Sequence, residues 1–256
     1  MIKSSFKFLA MGAFLAFSLQ SCSDDDETMA EGPVISGFEY GIHGEEGHTA
    51  YRGNDLHLEA EILAEANVKS ISVSVHAHDL PVGDKEEEWD FEQVYTDANY
   101  LIKNPTFHEH IDIPATAPVG EYHVEIVVTD ELGNSTEVDG HLDVLNPISI
   151  SDVDVDATVV RGNDIHAEFM IKVVNGIHNV EVDIHAHDLP IGDGEEEWDF
   201  EMQYEEGLHE KTEAEFHKHI VVPNTAPAGE YHATFTIEDE KGNTYEYETH
   251  IDVTKE

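Results

Sequence analysis

Histidine and carboxylate are the residues of this sequence best equipped for chemistry: 18 histidines and 56 Asp and Glu in 256 residues, against 12 Lys and Arg and a single Cys. Imidazole is largely neutral near pH 7 and offers a nitrogen lone pair, so histidines clustered among carboxylates have the donor set for zinc or copper(II). One Cys excludes an intrachain disulfide and every thiolate-rich site, which leaves imidazole and carboxylate to hold a transition metal. A formal net charge of −44 makes divalent cations the expected partners and excludes nucleic acid, because phosphate-backbone recognition needs positive charge. Two His-Ala-His triplets, His76 to His78 and His185 to His187, are each followed by an aspartate, Asp79 and Asp188. Residues two apart on a strand share a face about 6.6 Å apart, a spacing from which two imidazoles reach one ion. No serine nucleophile elbow, phosphate loop or dinucleotide fingerprint occurs, so the expectation is a binding protein and not an enzyme.

The triplets recur because the chain is duplicated. Arg52-Gly53-Asn54-Asp55 returns as Arg161-Gly162-Asn163-Asp164, and Gly120-Glu121-Tyr122-His123 as Gly229-Glu230-Tyr231-His232, both at an offset of 109 residues. A unit of about 110 residues has the size of an immunoglobulin-like sandwich. The closest match, His76 to Phe91 against His185 to Phe200, differs only at Val82/Ile191 and Lys85/Gly194. It contains a turn and an acidic run, which core packing alone does not explain. The expected organisation is a signal segment over 1–21, an acidic linker over 22–32, a first repeat over 33–146 and a second over 147–256.

Within each repeat the apolar residues alternate with polar ones and are interrupted by Gly, Pro, Asn and Asp, which predicts short antiparallel strands and an all-β fold of two tandem immunoglobulin-like β-sandwiches. Val73, Val75 and Ala77 alternate with Ser74, His76 and His78; Tyr122, Val124 and Ile126 alternate with His123 and Glu125. Gly133, as the left-handed third residue of a three-residue loop, makes Asp130 and Asn134 the closing pair of a hairpin. That register sets His123 opposite His141, and the same count around Gly242 sets His232 opposite His250. An antiparallel neighbour ending in His76 and His78 brings those two beside His123. The predicted metal ligands are therefore His76, His78, His123 and His141 in the first repeat and His185, His187, His232 and His250 in the second. Asp79, Glu121 and Asp143, with Asp188, Glu230 and Asp252, border them and could orient ring N–H groups or complete coordination. Protonation of these imidazoles in an acidic field is expected to stabilise the metal-free protein on mild acidification.

Other features carry less. His57 with His108 and His110 forms a second outward group on the opposite sheet. His43, His48, His178 and His209 lack counterparts and read as separate surface residues. The acidic runs Asp84 to Glu88 and Asp193 to Glu197 lack the ligand spacing of a calcium loop and read as solvated turns, so calcium ranks below zinc and copper. Arg-Gly-Asn-Asp reads as a turn between strands, and Trp89 and Phe91 as packing on a sandwich strand or edge.

At the N-terminus Lys3 and Lys7 precede an apolar stretch from Phe8 to Leu19 that is shorter than the ~20 residues of a spanning helix. Leu19-Gln20-Ser21-Cys22 resembles a bacterial lipobox with Cys22 as the lipidated residue, and Ser23-Asp24-Asp25-Asp26-Glu27 resembles the acidic export signal of Bacteroidetes lipoproteins. The turn at Thr129 to Asn134 resembles the F-to-G hairpin of bacterial immunoglobulin-like domains, and Tyr122 and Tyr231 occupy the place of a tyrosine corner. The whole chain is similar to uncharacterised, duplicated Bacteroidetes surface lipoproteins. That resemblance implies an outer-membrane lipoprotein exposed at the cell surface and supplies no activity. The functional expectation is zinc or copper binding at each repeat; the alternative is an adhesive or structural module that meets a surface protein or a glycan without metal.

Overall fold

The structure is a computed structural model that describes residues 31–44, 47–77, 79–83, 85–186 and 188–255, and every regular element among them is a strand. The first repeat contributes β1 (Val34–Gly41), β2 (Thr49–Tyr51), β3 (Asp55–Leu63), β4 (Val68–Ala77), β5 (Phe91–Tyr95), β6 (Thr106–Asp112), β7 (Gly120–Asp130) and β8 (Ser135–Leu145). The second contributes β9 (Ile148–Val155), β10 (Thr158–Val160), β11 (Asp164–Val173), β12 (Ile177–Ala186), β13 (Phe200–Tyr204), β14 (Glu213–Val221), β15 (Gly229–Asp239) and β16 (Thr244–Thr254). Each repeat forms a three-stranded sheet, β1-β3-β6 or β9-β11-β14, and a five-stranded sheet, β2-β8-β7-β4-β5 or β10-β16-β15-β12-β13. The architecture is the expected pair of immunoglobulin-like sandwiches.

Period-two alternation accounts for the layers. In β7, Tyr122, Val124, Ile126 and Val128 are fully buried, while His123 and Glu125 between them are half-exposed. In β3, Leu56, Leu58, Ala60 and Ile62 face the same core. Each aliphatic side chain so buried stabilises the fold by about 1.5–3 kcal/mol before entropy is counted. The Tyr122 hydroxyl donates to the Pro118 carbonyl at 2.8 Å, and Tyr231 to Pro227 at 3.0 Å, so both tyrosine corners are present. Burial, with the nearby Glu86 and Asp90 charges, pushes the Tyr122 hydroxyl up to about 12. Trp89, also buried, packs its ring 5.3 Å from that of Tyr122.

The two hairpin turns fix the register of the long strands. Asp130 is fully buried, and its carboxylate accepts from the Leu132 and Asn134 backbone N–H groups at 2.9 and 2.8 Å and from the Asn134 amide at 3.0 Å. Asp239 does the same with Lys241 and Asn243. Gly133 and Gly242 adopt φ of +90° and +82°, the left-handed conformation the loop requires.

The Arg-Gly-Asn-Asp turn does more than reverse the chain. Arg52 binds Glu86 at 2.8 Å and Arg161 binds Glu195 at 2.7 Å, while the same glutamates accept from the Gly83 and Gly192 N–H groups. One member of each acidic run is thus an anchor that ties the loop after β4 or β12 to the turn before β3 or β11. This accounts for the glutamate repeated at that place in each run. Lys255 also reaches Glu195 at 2.8 Å.

Two outcomes are expected. The Glu195 carboxyl is held at about 2, against an ordinary 4.5, by Lys255, the Gly192 N–H and Arg161. A depressed carboxyl stabilises the fold fully above its ordinary value, and that contribution disappears as pH falls toward about 2. Thermal melts of Glu195→Gln should therefore lie below wild type at pH 6 and converge with it near pH 2; a constant gap across that range would refute the assignment. Tyr122→Phe should lower the urea midpoint by the equivalent of about 1–2 kcal/mol, because the Pro118 carbonyl loses its donor inside the core.

Candidate metal centres

The five-stranded sheets place the sequence-predicted histidines in the register derived from the turns. His76 pairs with His123, and His123 with His141; His185 pairs with His232, and His232 with His250. Ring centroids stand 5.6 and 5.1 Å apart in the first row and 5.7 and 5.1 Å in the second. His78 and His187 lie outside the described residues. Glu121 contacts His141 at 3.3 Å, as expected of an orienting carboxylate. For His123 that partner is Asp139, at 3.3 Å, and for His232 it is Glu248, at 4.0 Å; for His185 it is Asp183. Asp143 and Asp252 instead donate their backbone N–H groups to the His48 and Ala157 carbonyls. Asp79 and Asp188 adopt positive φ just past the strand ends, and Glu230 lines a shallow cleft with His232 and His250.

The described members of these sets form rows across three strands, so the first and third imidazoles are separated by two strand spacings, roughly 9.6 Å at the backbone. The three-stranded sheets instead make triangles. His57 on β3 pairs directly with His110 on β6, and His108 lies two residues along on the same face. His166 on β11 pairs with His219 on β14, with His217 two residues along. The centroid separations are 5.0, 5.2 and 5.4 Å in the first triangle and 5.0, 5.3 and 5.3 Å in the second. A tetrahedral zinc with Zn–N of ~2.05 Å needs ligand centroids about 5.2 Å apart and donor nitrogens about 3.3 Å apart. The His217 and His219 Nε2 atoms stand 3.3 Å apart.

Carboxylates surround these triangles in the order a metal ligand set requires. His110 donates its Nδ1–H to Asp55 at 2.7 Å, and His219 makes the same bond to Asp164, which leaves each Nε2 for an ion. The hydrogen bond from His110 holds the Asp55 carboxyl below its ordinary range. Glu168 lies 3.4 Å from His166 Nε2 and 3.5 Å from His217 Nδ1, and donor atoms of these three residues all fall within 4.8 Å of one another. The same is true of His57, His108 and His110.

His57 differs from its neighbours. It is 4% exposed, and its Nε2 is buried without a hydrogen-bond partner. Burial first, then the facing His43, His108 and His110, push its imidazole below the ordinary histidine range, with Glu59 acting weakly the other way. Its surroundings therefore favour the neutral form, which carries a lone pair. A depressed imidazole makes the folded state less stable as pH falls below the ordinary histidine value.

The sequence pattern points first to the five-stranded face and, on the other sheet, to His57, His108 and His110 of the first repeat. The 109-residue offset already contained the second triangle, since His57, His108 and His110 map onto His166, His217 and His219. Two histidines read as separate surface residues also converge: His178 and His209 both contact Glu240, at 3.4 and 3.0 Å. That grouping joins β12, the β13–β14 connection and the β15–β16 turn, and no local spacing announces it.

No curated protein matches the chain. Among solved structures it is similar to E. coli alpha-2-macroglobulin, at 9% identity and a TM-score of 0.35 over 85% of this chain and 17% of that one. It is also similar to a tetra-tandem repeat in the extending region of a large adhesion protein, at 10% identity and a TM-score of 0.32 over 88% and 50%. A third likeness is to PorU from Porphyromonas gingivalis, at 13% identity and a TM-score of 0.33 over 93% and 22%. The chain thus spans half or less of each of these proteins. A domain of unknown function, DUF4625, matches residues 20–145 and again 144–254, so this duplicated chain belongs to that family.

Proposed function

We propose that this chain is a cell-surface lipoprotein that binds zinc or copper(II), one ion at the imidazole triangle of each immunoglobulin-like repeat. The observation that carries the reading is the recurrence, at equivalent positions of both repeats, of three imidazoles spaced for one tetrahedral ion, each set with one ring steadied by a turn aspartate. The orphaned Nε2 of His57 supports it, since a buried nitrogen lone pair without a donor is costly unless something occupies it. Anchoring through a lipid on Cys22 in the outer membrane completes the proposal; it rests on the lipobox and the acidic flank, and the structure describes neither. Capture or buffering of metal, or a contact made only when metal is bound, would follow from such sites. The histidine rows on the five-stranded faces offer additional positions for ions.

The test is the metal content of untagged full-length protein after exposure to zinc or copper and removal of free ion. About two tightly held ions are expected per chain. His108→Ala with His110→Ala should remove one, and His217→Ala with His219→Ala the other; all four positions are solvent-facing, so the fold should persist. Asp55→Asn should weaken the first site by roughly 10–100-fold without abolishing it. Retention of no ion by the wild type would overturn the metal reading and leave the adhesive-module alternative. Two ions retained by the fourfold variant would move the site to the His123 and His232 rows.

A further inference from the structure

The two repeats match closely from the Arg-Gly-Asn-Asp turn onward, but they differ in the connection before it. In the first repeat Gly41 lies opposite His57, and the chain reaches β2 at Thr49, which pairs with Asp143. In the second, the Asp156 N–H meets the His166 carbonyl, and the chain reaches β10 at Thr158, which pairs with Asp252. These are equivalent anchor points, eight steps apart in one repeat and two in the other, so the first repeat carries six extra residues beside its imidazole triangle.

Those residues bring a histidine with them. The His43 ring stands edge-on to His57, with centroids 4.4 Å apart, and 6.5 Å from His108. One separation is shorter and the other longer than the roughly 5.2 Å expected between imidazoles on one tetrahedral ion; the donor atoms already within 4.8 Å of one another are those of His57, His108 and His110, so coordination by His43 needs a small shift of its ring. In the same connection the His48 ring stacks on Tyr40 at 4.0 Å, and Tyr40 is itself packed into the core. The consequence for exposure is large. The His57 side chain is 5% exposed, whereas that of its counterpart His166 is 27% exposed. Both triangles have a glutamate at the equivalent position, Glu59 3.7 Å from His57 and Glu168 3.4 Å from His166, and the second has no fourth imidazole among the described residues.

We infer that the two repeats hold metal unequally: the first encloses its ion with four imidazoles, His43, His57, His108 and His110, and the second holds its ion with His166, His217 and His219 and keeps an exchangeable fourth position. A closed four-ligand set is the arrangement of metal sites that retain their ion, and an open position is the arrangement of sites that exchange ligands. The first site is then a resident ion and the second the one that communicates with solvent. A small donor such as water, free imidazole or a carboxylate would take the fourth position there, in competition with Glu168. The inference rests on the metal reading proposed above.

The experiment is release of zinc from loaded, untagged full-length protein into an excess of a colorimetric chelator. Wild type should release two ions in two phases of equal amplitude, the slower at least about tenfold behind the faster, since loss of even an orienting partner changes metal affinity by that order. His43→Ala, a change at an exposed position, should speed the slow phase toward the fast one and leave the stoichiometry at two. His217→Ala should remove or further accelerate the fast phase and leave the slow one intact. Loading with two ions followed by single-phase release, or a slow phase indifferent to His43→Ala, would overturn the inequality while leaving metal binding in place. Failure to load any ion would instead overturn the reading beneath it.

Discussion

A pair of backbone hydrogen bonds sets the geometry on which everything at the three-stranded sheet depends. The Gly53 N–H donates to the Ile113 carbonyl at 2.9 Å and the Ile113 N–H to the Asn54 carbonyl at 2.8 Å; Gly162, Asn163 and Val222 repeat the clamp at 2.8 and 2.9 Å. Asn54 is three residues before His57 and Ile113 three residues after His110, so the clamp dictates that these two histidines face each other. A slip of one residue would rotate every imidazole into the core and every leucine outward. The clamp also needs Gly53 and Gly162 at φ of +72° and +89°, where a side chain would be strained. One tetrapeptide therefore has three tasks. Its arginine anchors the acidic loop, its glycine and asparagine lock β3 to β6, and its aspartate orients the histidine that the lock has placed.

Why the tightest constellations arise on this sheet follows from strand geometry. A directly paired residue and a neighbour two positions along make a triangle whose sides are all near 5 Å, because cross-strand and along-strand spacings are similar in size. Three paired residues across three strands make a line. The described histidines of the five-stranded sheets are of the second kind, with Asp139 and Glu248 near the middle ring of each row, and those of the three-stranded sheets are of the first. Residue type is the same on both faces; topology separates what each can bind.

Much of this was legible in the sequence because its signals are local. The alternation in β4 and β7, the left-handed Gly133 and Gly242 and the tyrosine after Pro-x-Gly-Glu gave the sandwiches and placed His123 against His141 and His232 against His250. The β3–β6 pairing joins residues 45 to 57 positions apart without a hairpin, so its register has no turn from which to count. The function of Asp55 and Asp164 was hidden for the same reason: a turn aspartate looks like any other until the partner strand is in place. His178, His209 and Glu240 come together from three separate segments, which no periodicity encodes. Among the described residues the acidic runs are exposed turns except at Glu86 and Glu195, which arginines hold in half-buried positions, a pairing no local spacing encodes.

The energetics of His57 tie the fold to the proposed chemistry. Leaving a buried polar atom unpaired costs about 1–3 kcal/mol, and the His57 Nε2 has no hydrogen-bond partner among the described residues. Protonation does not relieve the cost, because burial and the neighbouring imidazoles oppose a positive charge there. A metal ion at this place would satisfy the lone pair, and its charge would sit within a chain of net −44. Asp55 and Glu59, at the edge of the same cluster, are placed to share that charge. The second repeat differs in exposure: His166 is half-exposed, with Glu168 where the first repeat has Glu59. The same residue types thus sit in two settings, one with a nearly enclosed imidazole, His57, and one with its half-exposed counterpart, His166.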